Sequence, residues 1–162
     1  MKRLHVLLAS SDHAAVNRIE ALVHDLCFDR VMVECKRTAR LDDFKKLSRC
    51  RWIDLVIFSP ENLLGSGKPG LRYLLDETLH SVRQVRSQRF LPFVAFGVSE
   101  ENATEVLEAG VEVVVGPVWA REQLGTELGR VLKLPARVEQ PVVGKWDILR
   151  LLRSFTLAKS KA

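Results

Sequence analysis

Ile53-Asp54-Leu55-Val56-Ile57-Phe58-Ser59-Pro60 is the stretch whose reading decides the fold. From Ile53 to Phe58 every position but Asp54 is apolar. A strand with one wet face alternates apolar and polar residues. A run that is apolar on both parities predicts a central parallel strand buried on both faces. Parallel neighbours need crossover helices, so the flanking sequence should alternate between strand and helix.

Upstream, Leu4-His5-Val6-Leu7-Leu8-Ala9 is a first strand. Asp12 to Cys27 then carries Ala15, Ile19, Leu22, Val23 and Leu26 at helical spacing, with Ser11 or Asp12 as N-cap. Val31-Met32-Val33-Glu34-Cys35 predicts a second strand, and Leu41, Phe44, Lys45 and Leu47 mark a short second helix. Downstream, Pro60, Gly65, Gly67, Pro69 and Gly70 predict a loop before a helix from Leu71 to about Ser87. Pro92 to Phe96 is a fourth strand. Ser99-Glu100-Glu101 opens a helix that closes at Gly110, a suitable residue just past a helix end. Val111 to Val115 is the fifth strand, and residues 120–132 form a last helix weakened by Gly125 and Gly129. The alternation predicts an α/β, doubly wound, five-stranded parallel sheet with right-handed crossovers. Sites in such sheets lie beyond the carboxyl ends of the strands, here Ala9–Asp12, Phe58–Glu61, Phe96–Ser99 and Val115–Pro117.

Those ends carry a resemblance. Asp54 to Ser59 resembles the segment Asp-Leu-Val-Leu-Leu-Asp of response-regulator receiver domains, whose last Asp accepts a phosphoryl group. Leu91-Pro92-Phe93-Val94-Ala95-Phe96-Gly97 and Glu105-Val106-Leu107-Glu108-Ala109-Gly110 resemble the fourth strand and fourth helix of that family. Gly116-Pro117-Val118-Trp119 stands where receivers carry Lys-Pro-Phe. The resemblance covers residues 3–132 and implies a flavodoxin-like, bacterial two-component signalling domain.

Receivers hold Mg²⁺ with two acids after the first strand, use an Asp after the third strand as nucleophile, and contact the phosphoryl group with a Thr or Ser and a Lys. Here those five positions are Ser10 and Ser11, Ser59, Gly97, and Gly116 or a deletion beside it. The resemblance therefore implies a degenerate pseudo-receiver: no enzyme, no catalytic residue, no metal and no cofactor. Asp54 cannot substitute, because five residues of strand place it about 16 Å from Ser59, where it reads as a surface acid at the strand entrance. Asp12 reads as a helix cap and Glu61 as a solvated loop acid. Gly65-Ser66-Gly67-Lys68 lacks both the preceding Gly and the following Ser or Thr of a phosphate-binding loop, and reads as a mobile loop. His5, His13, His24 and His80 show no ligand spacing, and neither do Cys27, Cys35 and Cys50. Three thiols without such spacing suit a reduced cytoplasmic protein.

With the crevice emptied, function moves to surfaces. The 162 residues carry a net charge of +5. Residues 1–132 hold 18 basic and 18 acidic side chains, and residues 133–162 hold seven basic and two acidic, so the whole excess lies at the end. Residues 133–144 read as a linker containing Pro135, Pro141 and Gly144. Residues 145–162 read as a basic amphipathic helix and tail with Ile148, Leu151, Leu152 and Phe155 on one stripe and Trp146 and Leu149 beside it. Such a helix needs its apolar face covered, by its own domain, by a twin in a homodimer or by another protein. No apolar run suits a membrane span.

By resemblance, the helix after Ser99, the fifth strand and the last helix form an interaction face, nominating Glu101, Glu105, Glu108, Trp119 and Arg121. Trp146, Leu149, Leu152 and Phe155 join them as candidate contacts. Protein–protein signalling or scaffolding is the expected function. The alternatives are a nucleic-acid-binding regulator using the basic second helix and tail, and a small-ligand sensor using the altered crevice.

Overall fold

In the computed structural model the described residues are 2–64, 70–85 and 91–133. The helix expected at 145–162, with Trp146, Leu149, Leu152 and Phe155, lies outside them, as do residues 134–144 of the linker and Gly65-Ser66-Gly67-Lys68.

Strand and helix alternate as β1 (Arg3–Ala9), α1 (His13–Cys27), β2 (Met32–Thr38), α2 (Leu41–Ser48), β3 (Leu55–Phe58), α3 (Pro60–Leu64), α4 (Leu71–Val85), β4 (Phe93–Ala95), α5 (Glu100–Glu108), β5 (Val113–Val114) and α6 (Arg121–Val131). The five strands form one sheet in the order β2-β1-β3-β4-β5, all parallel. The winding direction changes between β1 and β3, which pair as neighbours.

The run at β3 explains the two-layered core. Its residues are buried on both parities and divide between the faces. Val56 and Phe58 join Leu7, Ala9, Phe93 and Ala95 beneath α2, α4 and α5. Leu55 and Ile57 join Val6, Leu8, Val94 and Phe96 beneath α1 and α6. The period-two geometry of a strand thus feeds two cores from one sequence.

Three local differences from expectation have physical causes. β2 runs to Thr38, past Lys36 and Arg37, because it is an edge strand whose outward positions tolerate charge. Asp54 is half-buried, not a surface acid: its Oδ2 accepts the backbone N–H of His5 at 2.9 Å, joining β1 to the start of β3. Pro60, expected in a loop, opens the short helix α3, where a missing N–H costs nothing in the first turn. Gly110 closes α5 with φ +107, and a Cβ there would run into the Arg83 guanidinium. No helix among the described residues is long and apolar enough to cross a membrane.

Glu112, just before β5, is half-buried and accepts the N–H of Phe93 at 2.5 Å. Burial pushes its carboxyl pKa up, against the opposing effect of backbone N–H donors and Arg83. A raised pKa means the folded state binds more protons than the unfolded one between the ordinary carboxylate pKa and the folded value. Stability therefore falls as pH rises through that window. Glu112→Gln keeps an acceptor for Phe93 and removes the charge. It is expected to unfold at higher urea than wild type at neutral pH, by under about 1 kcal/mol. The gain should vanish below the ordinary carboxylate range. A variant less stable than wild type at neutral pH would contradict this.

Candidate functional site

The carboxyl ends of β1, β3, β4 and β5 converge on one cleft of about 610 Å³, lined by Ser10, Asp12, Ala14, Ala15, Arg18, Ser59, Glu61, Asn62, Phe96, Gly97, Pro117 and Trp119. It lies at the β1–β3 switch in winding, where sheets of this class place their sites. Of the five positions expected there, Ser10, Ser59 and Gly97 line the cleft directly. Ser11 is exposed at its rim, and Gly116 is buried beyond β5.

Backbone pairing sets these positions. The N–H of Ser59 donates to Ala9 O at 2.9 Å, and that of Phe96 to Phe58 O at 2.9 Å, so the strand ends stay in register beyond the sheet proper. Ser59 is buried. Gly97 has φ +66, and a Cβ on it would lie 3.4 Å from Ser59 Oγ. A Thr or Ser at Gly97 would thus take a strained backbone and crowd Ser59.

The helix α3, absent from the sequence expectation, organises the cleft. Asn62 Oδ1 accepts from the N–H of Ser11 at 2.7 Å, from Ser11 Oγ at 2.5 Å and from Ser10 Oγ at 3.3 Å. Glu61 Oε1 accepts from the N–H of Ser99 at 2.8 Å, from Ser99 Oγ at 2.6 Å and from Asn102 Nδ2 at 2.7 Å. One turn of helix therefore clips the β1–α1 corner with one side chain and the start of α5 with the next. Glu61 is not the solvated loop acid expected from sequence. Asp12 caps α1 as expected, its Oδ1 accepting the N–H of Ala15 at 3.1 Å.

These residues do not suit Mg²⁺, a hard ion that wants carboxylate oxygens. The positions after β1 and β3 offer hydroxyls and one amide oxygen. The two carboxylates near them are engaged in capping α1 and holding α5. At the other wall, the Arg18 guanidinium lies 4.3 Å from the centre of the Trp119 ring, a cation–π contact.

The expected interaction face divides. Glu101 and Glu108 are exposed on α5, and Glu105 is half-buried. Glu108 is paired with Arg72 of α4, its Oε2 2.9 Å from Nη1. Trp119 is not a surface residue: it is 8% exposed, packed in the α1–α6 core under Arg18. Its burial comes from a helix a hundred residues away in sequence, beyond the reach of local pattern. Arg121 is exposed and ion-paired with Asp25 of α1, on the side of α6 away from α5.

Cys27, Cys35 and Cys50 are free thiols. Burial, and secondarily Cys27, pushes the Cys35 thiol up to about 11, so without a bound cation it stays protonated at neutral pH.

No family model and no curated protein matches the chain. Solved structures do. A pilus assembly protein (cpaE) from Burkholderia thailandensis is similar with TM-score 0.56 at 17% identity, over 80% of this chain and 98% of that one. A signal receiver domain of a histidine kinase from Clostridium thermocellum is similar with TM-score 0.60 at 14% identity, over 80% and 98%. The receiver domain of a sensor histidine kinase from Pseudomonas aeruginosa, with a magnesium ion in its active-site cleft, is similar with TM-score 0.58 at 15% identity, over 80% and 98%. At these identities the likeness is one of fold: the described residues form a receiver-like domain with a flavodoxin-like sheet.

Proposed function

We propose that this chain is a phosphorylation-incompetent pseudo-receiver that acts by protein–protein interaction, in signalling or as a scaffold. The observation that carries the reading is the neutral latch in the cleft. Asn62 ties Ser10 and Ser11 together where receivers hold a cation between acids, and Ser59 replaces the nucleophile. A hydroxyl with no base at hand is a poor nucleophile. The two carboxylates that line the cleft, Asp12 and Glu61, already hold helix ends.

A crevice without transferable charge leaves the outer faces to act. On α5, Glu101 is an exposed acid and Glu108 is exposed but paired with Arg72, while Lys36, Arg40, Lys46 and Arg49 are exposed around β2 and α2. Separate patches of unlike charge, at α2 and at α5 over the same face of the sheet, favour an oriented protein partner over a uniform polyanion. The likeness to a pilus assembly protein supports a use of this fold in building assemblies, beside its use in regulators.

The test is direct. Incubation of the full chain with acetyl phosphate and Mg²⁺ is expected to leave its intact mass unchanged. An active receiver treated alongside gains one phosphoryl group. Stable addition of that mass to this chain, removed by hydroxylamine as acyl phosphates are, would overturn the reading.

A further inference from the structure

No spacing along the chain suits a metal, yet the fold gathers a mixed donor set where α1 crosses β2. Glu20 and His24 stand one turn apart on α1, on the same face. Cys35 lies on the edge strand β2, in register with Val6 of β1. One ligand atom from each of the three residues lies within 4.8 Å of the other two. Glu20 and Cys35 are half-buried and His24 is exposed, so the cluster is reachable from solvent.

Glu20 divides its two oxygens. Oε2 accepts from Arg37 Nη2, while Oε1 lies 4.0 Å from His24 Nε2. Arg37 is itself oriented by donating through Nη1 to Asn17 Oδ1 at 2.7 Å. A carboxylate held from behind by a hydrogen-bonding partner, with its other oxygen 4.0 Å from an imidazole nitrogen, has the arrangement of a supported metal ligand.

We propose that Glu20, His24 and Cys35 form a zinc site that ties α1 to the edge strand β2. One sulfur, one nitrogen and one oxygen donor match a borderline-soft ion and exclude Mg²⁺ and Ca²⁺, which take oxygen alone. Tetrahedral zinc places its donors about 3.3–3.8 Å apart, given bonds of about 2.0–2.3 Å. The three atoms therefore close by about 1 Å, which rotation of the exposed His24 and the half-buried Glu20 supplies. On binding, the Cys35 thiol gives its proton to solvent and the thiolate takes the ion, with the Glu20 carboxylate balancing the second charge. Water completes the fourth position.

The experiment titrates the full chain with zinc chloride by calorimetry and with cobalt chloride by absorption. Wild type is expected to bind one equivalent of zinc and to show a thiolate-to-cobalt charge-transfer band. Removing a supporting residue of a zinc site costs about 10–100-fold in affinity, so losing a direct ligand should cost at least about 100-fold. Cys35→Ser and His24→Gln should each show that loss, and Cys35→Ser should also lose the charge-transfer band. Cys50→Ser, outside the cluster, should change neither. His24 is exposed, so its variant reports on binding even if Cys35→Ser perturbs the strand. Absence of stoichiometric binding by wild type would overturn the proposal. Binding that survives His24→Gln, or a thiolate band that follows Cys27→Ala instead of Cys35→Ser, would also overturn it.

Discussion

Phe58→Ala is expected to lower the unfolding free energy by about 3–5 kcal/mol. Phe58 is 1% exposed and is the largest of the fully buried side chains among the described residues. Its ring stacks on Phe44 of α2, centroids 5.1 Å apart at 18°, and meets Phe93 of β4 edge-on at 5.9 Å and 83°. Truncation removes the transfer energy of the ring and opens a cavity between α2 and the sheet. It also ends two aromatic contacts worth about 0.5–1.5 kcal/mol each beyond burial. A domain of this size is stable by about 5–15 kcal/mol, so the loss is a large share of the whole. Urea unfolding followed by circular dichroism reads it. A loss under about 1 kcal/mol would mean that Phe44 and Phe93 collapse onto each other and that the α2 layer is loosely specified.

The same ring shows what a sequence discloses and where it stops. The apolar run at 53–58 has few interpretations, because only burial on both faces suits it, and the succession of five strands along the chain followed from the alternation around it. Gly110 was legible as a helix stop because a positive φ has a residue preference. Three positions of the cleft were legible by place: Ser10, Ser59 and Gly97 stand at strand ends as expected.

What was not legible depends on contacts between distant segments. Pro60 punctuates a sequence, so Pro60–Leu64 read as loop, and without that helix the two clips made by Glu61 and Asn62 had no geometry. Trp119 read as surface because its burial is supplied by Arg18 and α1, far off in the chain. Glu20, His24 and Cys35 have unremarkable spacing and meet only because β2 pairs with β1 beneath α1. Local pattern reports which face is apolar. It does not report which polar side chains that face brings together.

Glu61→Ala is expected to cost about 3 kcal/mol and to loosen one side of the cleft selectively. α5 begins at Glu100 with Ser99 as N-cap, yet the Ser99 side chain makes no cap of its own. Its hydroxyl and N–H instead donate to Glu61 Oε1, together with Asn102 Nδ2. A carboxylate from α3 thus caps α5 from outside, at the helix end where a negative charge is favoured. Hydrogen bonds to a charged acceptor contribute about 1.5–3 kcal/mol each when isolated. Three sharing one oxygen in a half-buried setting do not add, which keeps the total near the value of one or two. Glu61→Gln retains an acceptor and should lose only about 1 kcal/mol. Hydrogen exchange is the discriminating readout, because local loss of anchoring opens locally. Amides of residues 97–103 should exchange faster in Glu61→Ala, while those of α1 and α6, on the opposite face of the sheet, keep their protection. Uniform acceleration across both faces would mean that Glu61 supports the whole fold. Unchanged exchange at 97–103 would mean that α5 holds itself in place. The predicted pattern would instead show a cleft with one corner held by a structural clip, which fixes the orientation of α5 and its exposed acids Glu101 and Glu108.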